Sequence, residues 1–312
     1  MLSRSLARGS LTTLTLALLL LVAAAPPHKD GAIESRRPYT FPPWDSLKRA
    51  DRFVDRDDYE RTIGDQRFRL ERVEYRSGPR AVPAYLYTPV TPPGRRLPCV
   101  VYVRGSWTVG DIGWQLAPTF HRLAQAGFVV VAPLLRGSDG SEGRDEMGGA
   151  DLDDLMLAPR LTAGIASADT SRLYLYGESR GGMMVFQALR DGFPARAAAT
   201  FGAFTDLDSM ISADTTHLEP MARQIWPDWP SQRNAIAERR SVLRWPSRLK
   251  VPVLLMHGEA DPQVKPGQSR ALAKAIRVSG GRVDTLFFPG ANHTLRGHET
   301  VRDSAAISWF RR

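Results

Sequence analysis

Apolar and polar residues begin to alternate at "FRLERVEY" and do so again in "AVPAYLYTP", with "RSGPR" between them. A period of two marks strands, and the Gly-Pro pair between them marks a hairpin. The pattern then changes. "CVVYVRG" (99–105), "FVVVAPLL" (128–135), "RLYLYGES" (172–179), "RAAATFGAF" (196–204), "VPVLLMHG" (251–258) and "VDTLFFP" (283–289) are short, nearly continuous apolar runs. Such runs suit strands buried on both faces. Most are separated by segments with helical spacing, such as "WQLAPTFHRLAQAG", "GADLDDLMLAPRLTAG", "GGMMVFQALRDG" and "PGQSRALAKAIRVSG". Strand alternating with helix predicts an α/β fold: a doubly wound, mostly parallel sheet with helices on both faces and the antiparallel hairpin at one edge.

Two stretches break this rhythm. Residues 205–246 are too long for a plain connection and carry Trp226, Trp229 and Trp245. They are expected to form a small, mostly helical insertion over one end of the sheet. Residues 26–66 are Pro-rich and then charged, which reads as a linker followed by a short helical segment. Ahead of them, Arg4 and Arg8 precede an uncharged run from Leu11 to Val22 and then Ala23-Ala24-Ala25. That layout is a secretory signal peptide cleaved after Ala25, since the run is short of the ~20 residues a membrane span needs. The chain is therefore expected to be secreted or periplasmic, with no stable membrane span after cleavage and a catalytic domain over 67–312.

Composition excludes more than it identifies. The 312 residues carry a net charge of +9, mostly as scattered arginine without a basic block. Nucleic-acid binding is not expected from that pattern. The single cysteine, Cys99, rules out an intramolecular disulfide and lies in an apolar run as a buried thiol. No metal-ligand spacing occurs, so neither metal nor cofactor is implied.

The chemistry lies in "LYLYGESRGGMM" (173–184), where a strand becomes a helix around Gly177-Glu178-Ser179-Arg180-Gly181. In a G-x-S-x-G turn the small flanking residues permit a sharp bend that lifts the serine hydroxyl out of the sheet. The helix that follows directs its N-terminal dipole, and the Arg180 backbone N–H, at the same spot. Serine needs a base, and the base an orienting acid. "MHGEADPQV" places Asp261 just after one strand, with Glu259 as its nearest rival. "FFPGANHTL" places His293 just after another. Serine, aspartate, histidine is the chain order of α/β-hydrolases. Ser179 is thus the expected nucleophile, His293 the base and Asp261 its partner, while His257 is expected to shape the acid loop. The "NHT" sequon at 292–294 reads as incidental.

"GESRGGMM", "HGEADPQV", "RGSDGSEGRDEMGGADLDDLM" and "WPSRLKVPVLLMHG" together resemble the catalytic domain of the prolyl oligopeptidase family of serine peptidases, over about residues 68–312. The resemblance implies peptidase activity on short peptides, with Ser179, Asp261 and His293 as its triad. An esterase acting on carboxylic esters is the alternative, and a non-catalytic hydrolase-fold binder a remote one. Asp151, Asp153 and Asp154 read as helix N-terminal charge. There are two departures from the family. The roughly 40 residues before the hairpin leave no room for the N-terminal β-propeller that members often carry. Arg104 stands where the family's oxyanion tyrosine would align, leaving backbone N–H groups of Gly105 or Ser106 as donors beside that of Arg180. The Arg104 guanidinium would hold an acidic substrate group or pair with Glu178. Trp107, Glu178, Trp226 and Trp229 are the other candidate substrate contacts.

Overall fold

A computed structural model describes residues 30–92, 94–107 and 109–312. The expected signal peptide lies outside them. Nine strands form one sheet: β1 (Ile33–Pro38), β2 (Phe68–Ser77), β3 (Arg80–Pro89), β4 (Leu97–Val103), β5 (Val129–Pro133), β6 (Ala168–Glu178), β7 (Ala195–Phe201), β8 (Val253–Gly258) and β9 (Val283–Phe288). Their order is β1-β2-β3-β5-β4-β6-β7-β8-β9. The first three strands are antiparallel to their neighbours, and the rest run parallel. The expected α/β-hydrolase sheet is present.

The central strands are apolar throughout because each buries two faces. Along β4, Cys99, Val101 and Val103 join one core cluster while Val100 and Tyr102 join the other. The first cluster lies under α3 (Leu152–Met156), α4 (Ala158–Ala163), α5 (Arg180–Arg190) and α9 (Gly267–Val278). The second lies under α2 (Gly113–Gln125) and α10 (Glu299–Phe310). The segment expected as one helix over 149–164 is two short ones, broken at Leu157 just before Pro159, which has no N–H to continue the ladder.

The reading of 26–66 needs correction. It contains the expected helix, α1 (Arg56–Gly64), capped by Asp55, but also strand β1. β1 pairs with β2 and is the sheet edge, so the hairpin lies one strand further in. "IESRRP" gave no period-two signal because an edge strand with nearly every residue exposed has no core face to pattern. The insertion is helical as expected: α6 (Leu207–Ala213), α7 (Thr215–Ile225) and α8 (Trp229–Arg240). No helix among the described residues is long and apolar enough to cross a membrane.

Candidate active site

Ser179, Asp261 and His293 follow β6, β8 and β9, all at the carboxyl end of the sheet. Ser179 has φ 50° and ψ −118°, a conformation few side-chain-bearing residues adopt. Its neighbours make the bend possible. A Cβ at Gly181 would lie 2.0 Å from the Val103 carbonyl oxygen, and one at Gly177 would lie 2.7 Å from the Gly181 oxygen. The Ser179 N–H donates to the Phe201 carbonyl (2.8 Å), tying the turn to β7.

The three side chains meet. Ser179 Oγ lies 2.9 Å from His293 Nε2, and His293 Nδ1 lies 2.7 Å from Asp261 Oδ2. Asp261 is buried and its other oxygen accepts from the N–H groups of Gln263 (2.8 Å) and Val264 (2.9 Å). Burial alone would raise its pKa. Hydrogen bonds from His257 and His293, the His293 charge and the Val264 N–H outweigh that and hold the carboxyl well below the ordinary range. Glu259, the rival acid, pairs instead with Arg270. His257 Nε2 lies 3.1 Å from Asp261 Oδ2 and 2.9 Å from the Val264 oxygen, and its Nδ1 lies 2.7 Å from Ser269 Oγ. A proton on Nε2 satisfies both acceptors and lets Ser269 donate to Nδ1. A contribution not read from the sequence is Gly202. Its φ is 58°, and a Cβ there would lie 3.0–3.2 Å from the His293 oxygen and ring.

The loop after β4 runs over Ser179, since a Cβ at Gly105 would lie 3.4 Å from Ser179 Cβ. Here the reading of Arg104 is corrected. Its guanidinium is buried, 1% exposed, and faces neither a substrate nor Glu178. It donates to the carbonyls of Leu134, Gly105 and Ser106, to Ser138 Oγ and to Asp145. The Arg180 side chain, equally buried, donates to the Ser106 carbonyl (3.1 Å), to the same Asp145 oxygen (2.7 Å) and to Asp151 (2.5 Å). Burial, and then the nearby Arg180 charge, push the Arg104 guanidinium down to about 9 despite Asp145. Because a trans peptide points its N–H opposite its carbonyl, pinning the Gly105 and Ser106 oxygens turns the Ser106 and Trp107 N–H groups away from the guanidinium pair. The Arg180 N–H, at the first position of α5, has no partner within that helix.

The aromatic and acidic candidates separate. Glu178 accepts from Tyr102 Oη (2.9 Å) and lines a cavity of about 100 Å³ with Thr294, beside His293, and Phe53 of the N-terminal segment. Trp107 Nε1 donates to the Asp145 carbonyl (3.0 Å). Trp226 is buried, donates to the Glu146 carbonyl and has Arg240 over its ring at 4.6 Å. Trp229 is wholly buried beside it, ring centres 5.6 Å apart, so it packs the insertion onto the core and cannot be a substrate wall. Asp151 and Asp154 are also buried, paired with Arg180 and Arg136. Asp151 is nevertheless the N-cap of α3, and Asp153 and Asp154 fall in its first turn, so all three stand at a helix N-terminus as expected, with Asp153 alone exposed.

An elbow serine hydrogen-bonded to a histidine, itself bonded to a buried aspartate, on an α/β-hydrolase sheet, defines a serine hydrolase. The chain belongs to the prolyl oligopeptidase family, whose model matches residues 114–312. Among curated relatives, the uncharacterized peptidase YtmA of Bacillus subtilis (strain 168) is 27% identical over 238 residues, 76% of this chain and 91% of YtmA. The acylamino-acid-releasing enzyme of Rattus norvegicus is 26% identical over 251 residues, 73% of this chain but only 33% of that enzyme. Esterase LipQ of Mycobacterium tuberculosis is 24% identical over 239 residues, 70% of this chain and 56% of LipQ. Among solved structures, a Mycobacterium tuberculosis puromycin-hydrolyzing peptidase is 27% identical with a TM-score of 0.65, covering 77% of this chain and 39% of that one.

Proposed function

We propose that this chain is a serine peptidase that cleaves short peptides through an acyl-enzyme. The observation that carries the reading is the continuous hydrogen-bond chain Ser179–His293–Asp261 within a family that includes peptidases. Ser179 Oγ attacks the scissile carbonyl as its proton passes to His293 Nε2. Asp261 orients the imidazole and stabilises its charged form. The oxyanion is received by the backbone N–H groups of Ser106 and Arg180. His293 then returns the proton to the departing amine, and the acyl group stays on Ser179. Water, deprotonated by His293, attacks the acyl carbon and releases the acid. The N-terminal pattern supports export of the mature chain, which N-terminal sequencing of protein from the growth medium or periplasm tests.

Carboxylic esters are the second reading. It is favoured by the family's esterase relative and by an oxyanion site that Arg104 leaves without a side-chain hydroxyl. The test is hydrolysis of short aminoacyl and prolyl p-nitroanilides beside p-nitrophenyl acetate and butyrate by residues 26–312, with Ser179→Ala as control. Anilide turnover lost in Ser179→Ala supports the peptidase. Ester turnover alone moves the protein to the esterases.

A further inference from the structure

Arginines that are scattered in sequence are gathered in space. At the amino ends of the parallel strands, a trough of about 580 Å³ is lined by Arg95 and Arg96 from the turn before β4, Arg172 of β6, Arg196 of β7, and Arg311 and Arg312 after α10. A second hollow of about 250 Å³ shares Arg196 and Arg312 with it and adds Arg282. Seven guanidinium groups from five separate segments therefore face one connected surface. The carboxylates close by are Asp169, paired with Arg172, and Asp284, paired with Arg312. Arg196 and Arg311 donate only to the carbonyls of Ser171 and Ala126. Arg95, Arg96 and Arg282 make no side-chain hydrogen bond or ion pair among the described residues. Bringing so many like charges together is unfavourable unless counter-charge is supplied.

We propose that this trough binds a linear, phosphate-bearing polyanion without bases, of the polyphosphate or polyol-phosphate kind. Guanidinium forks match phosphate oxygens in pairs. The surface is concave, so an extended chain can enter it, whereas a flat lipid surface would meet only its rim. The aromatic residues beneath it, Tyr174, Trp309 and Phe310, are all buried, so they offer no open ring faces for bases to stack on, as single-stranded nucleic acid requires. The site is remote from catalysis. Arg172 lies in β6 and Ser179 just past its end, seven positions further along, about 23 Å. A bound polyanion would hold the protein by one end and leave the elbow serine facing away.

The test is binding of inorganic polyphosphate to the full chain, compared with a single-stranded oligonucleotide of equal charge and with vesicles containing anionic phospholipid. The expected result is that polyphosphate binds more tightly than either. Its affinity should fall about 50-fold or more between 50 and 200 mM salt, as four or more arginine–phosphate contacts require. The Arg95→Glu/Arg96→Glu/Arg196→Glu triple variant should lose binding while keeping its melting temperature and its p-nitrophenyl ester turnover. Equal binding of polyphosphate by the folded triple variant overturns the proposal. So does preference for the oligonucleotide or the vesicles, or the absence of polyphosphate binding at 50 mM salt.

Discussion

Asp145→Asn is the most informative single substitution near the nucleophile. The side chain keeps its shape and loses its charge. Asp145 Oδ2 accepts from Arg104 (3.2 Å) and Arg180 (2.7 Å), while Oδ1 accepts from the Met147 N–H (3.0 Å). Without it, Arg180 keeps Asp151, and Arg104 is left with neutral acceptors only. Removing one partner from a buried ion pair costs about 3–5 kcal/mol. At about 2–4 °C per kcal/mol for a chain approaching this size, the melting temperature should fall by about 10 °C. The catalytic effect follows from the same contacts. Both guanidiniums fix the Ser106 carbonyl, and through it the peptide planes of the oxyanion loop. Outright loss of an oxyanion donor costs about 3–4 kcal/mol, or 10²–10³ in kcat. A donor misaimed rather than deleted should cost about 10- to 100-fold. The assay is p-nitrophenyl ester hydrolysis at 15 °C, where the variant stays folded, with active sites counted by fluorophosphonate labelling. Labelling should persist, KM should change little and kcat should fall. A folded, fully labelled variant with kcat within twofold of the parent refutes the reasoning.

Gly181→Ala should abolish activity and destabilise the protein, because its methyl would meet the Val103 and Arg104 carbonyl oxygens at 2.0 and 2.5 Å; thermal unfolding and ester turnover read this out. Trp229→Ala should cost about 3–5 kcal/mol of stability in urea titration and leave the relative rates on different esters unchanged, since the ring is sealed in the core. Asp261 has a depressed pKa, so it contributes stability that is fully present above the unfolded value of about 3.9 and is lost as pH falls through its folded value. The stability gap between the parent and Asp261→Asn should accordingly be widest above pH 5 and narrow below pH 4. Cys99 is buried with its thiol pushed up to about 12, so iodoacetamide at pH 8 should label it only in unfolded protein, as mass spectrometry would show.

The triad residues could be found in the sequence because each sits just past an apolar strand, where short-range pattern and catalytic position coincide. The fate of Arg104 could not. Its acceptors, Leu134, Ser138 and Asp145, lie 30 to 41 residues further along, and only the sheet order brings them together. Trp226 and Trp229 showed the same limit. A tryptophan in an irregular insertion has no periodicity to say which way it faces, and burial decided it. The edge strand β1 was hidden for the opposite reason, as its polar residues imply no buried face. The convergence of arginines at the far end of the sheet is likewise a property of strand order rather than of local spacing.

The shared carboxylate of Asp145 also constrains inheritance. Arg104 without Asp145 would be a buried cation with neutral acceptors only, and Asp145 without either arginine would be a buried lone anion. Intermediates carrying Arg104 alone or Asp145 alone would be less stable than either the full set or none of it. These positions are therefore expected to change together across descendants of a common ancestor, making the trio a lineage marker that three well-separated stretches of the gene must carry jointly.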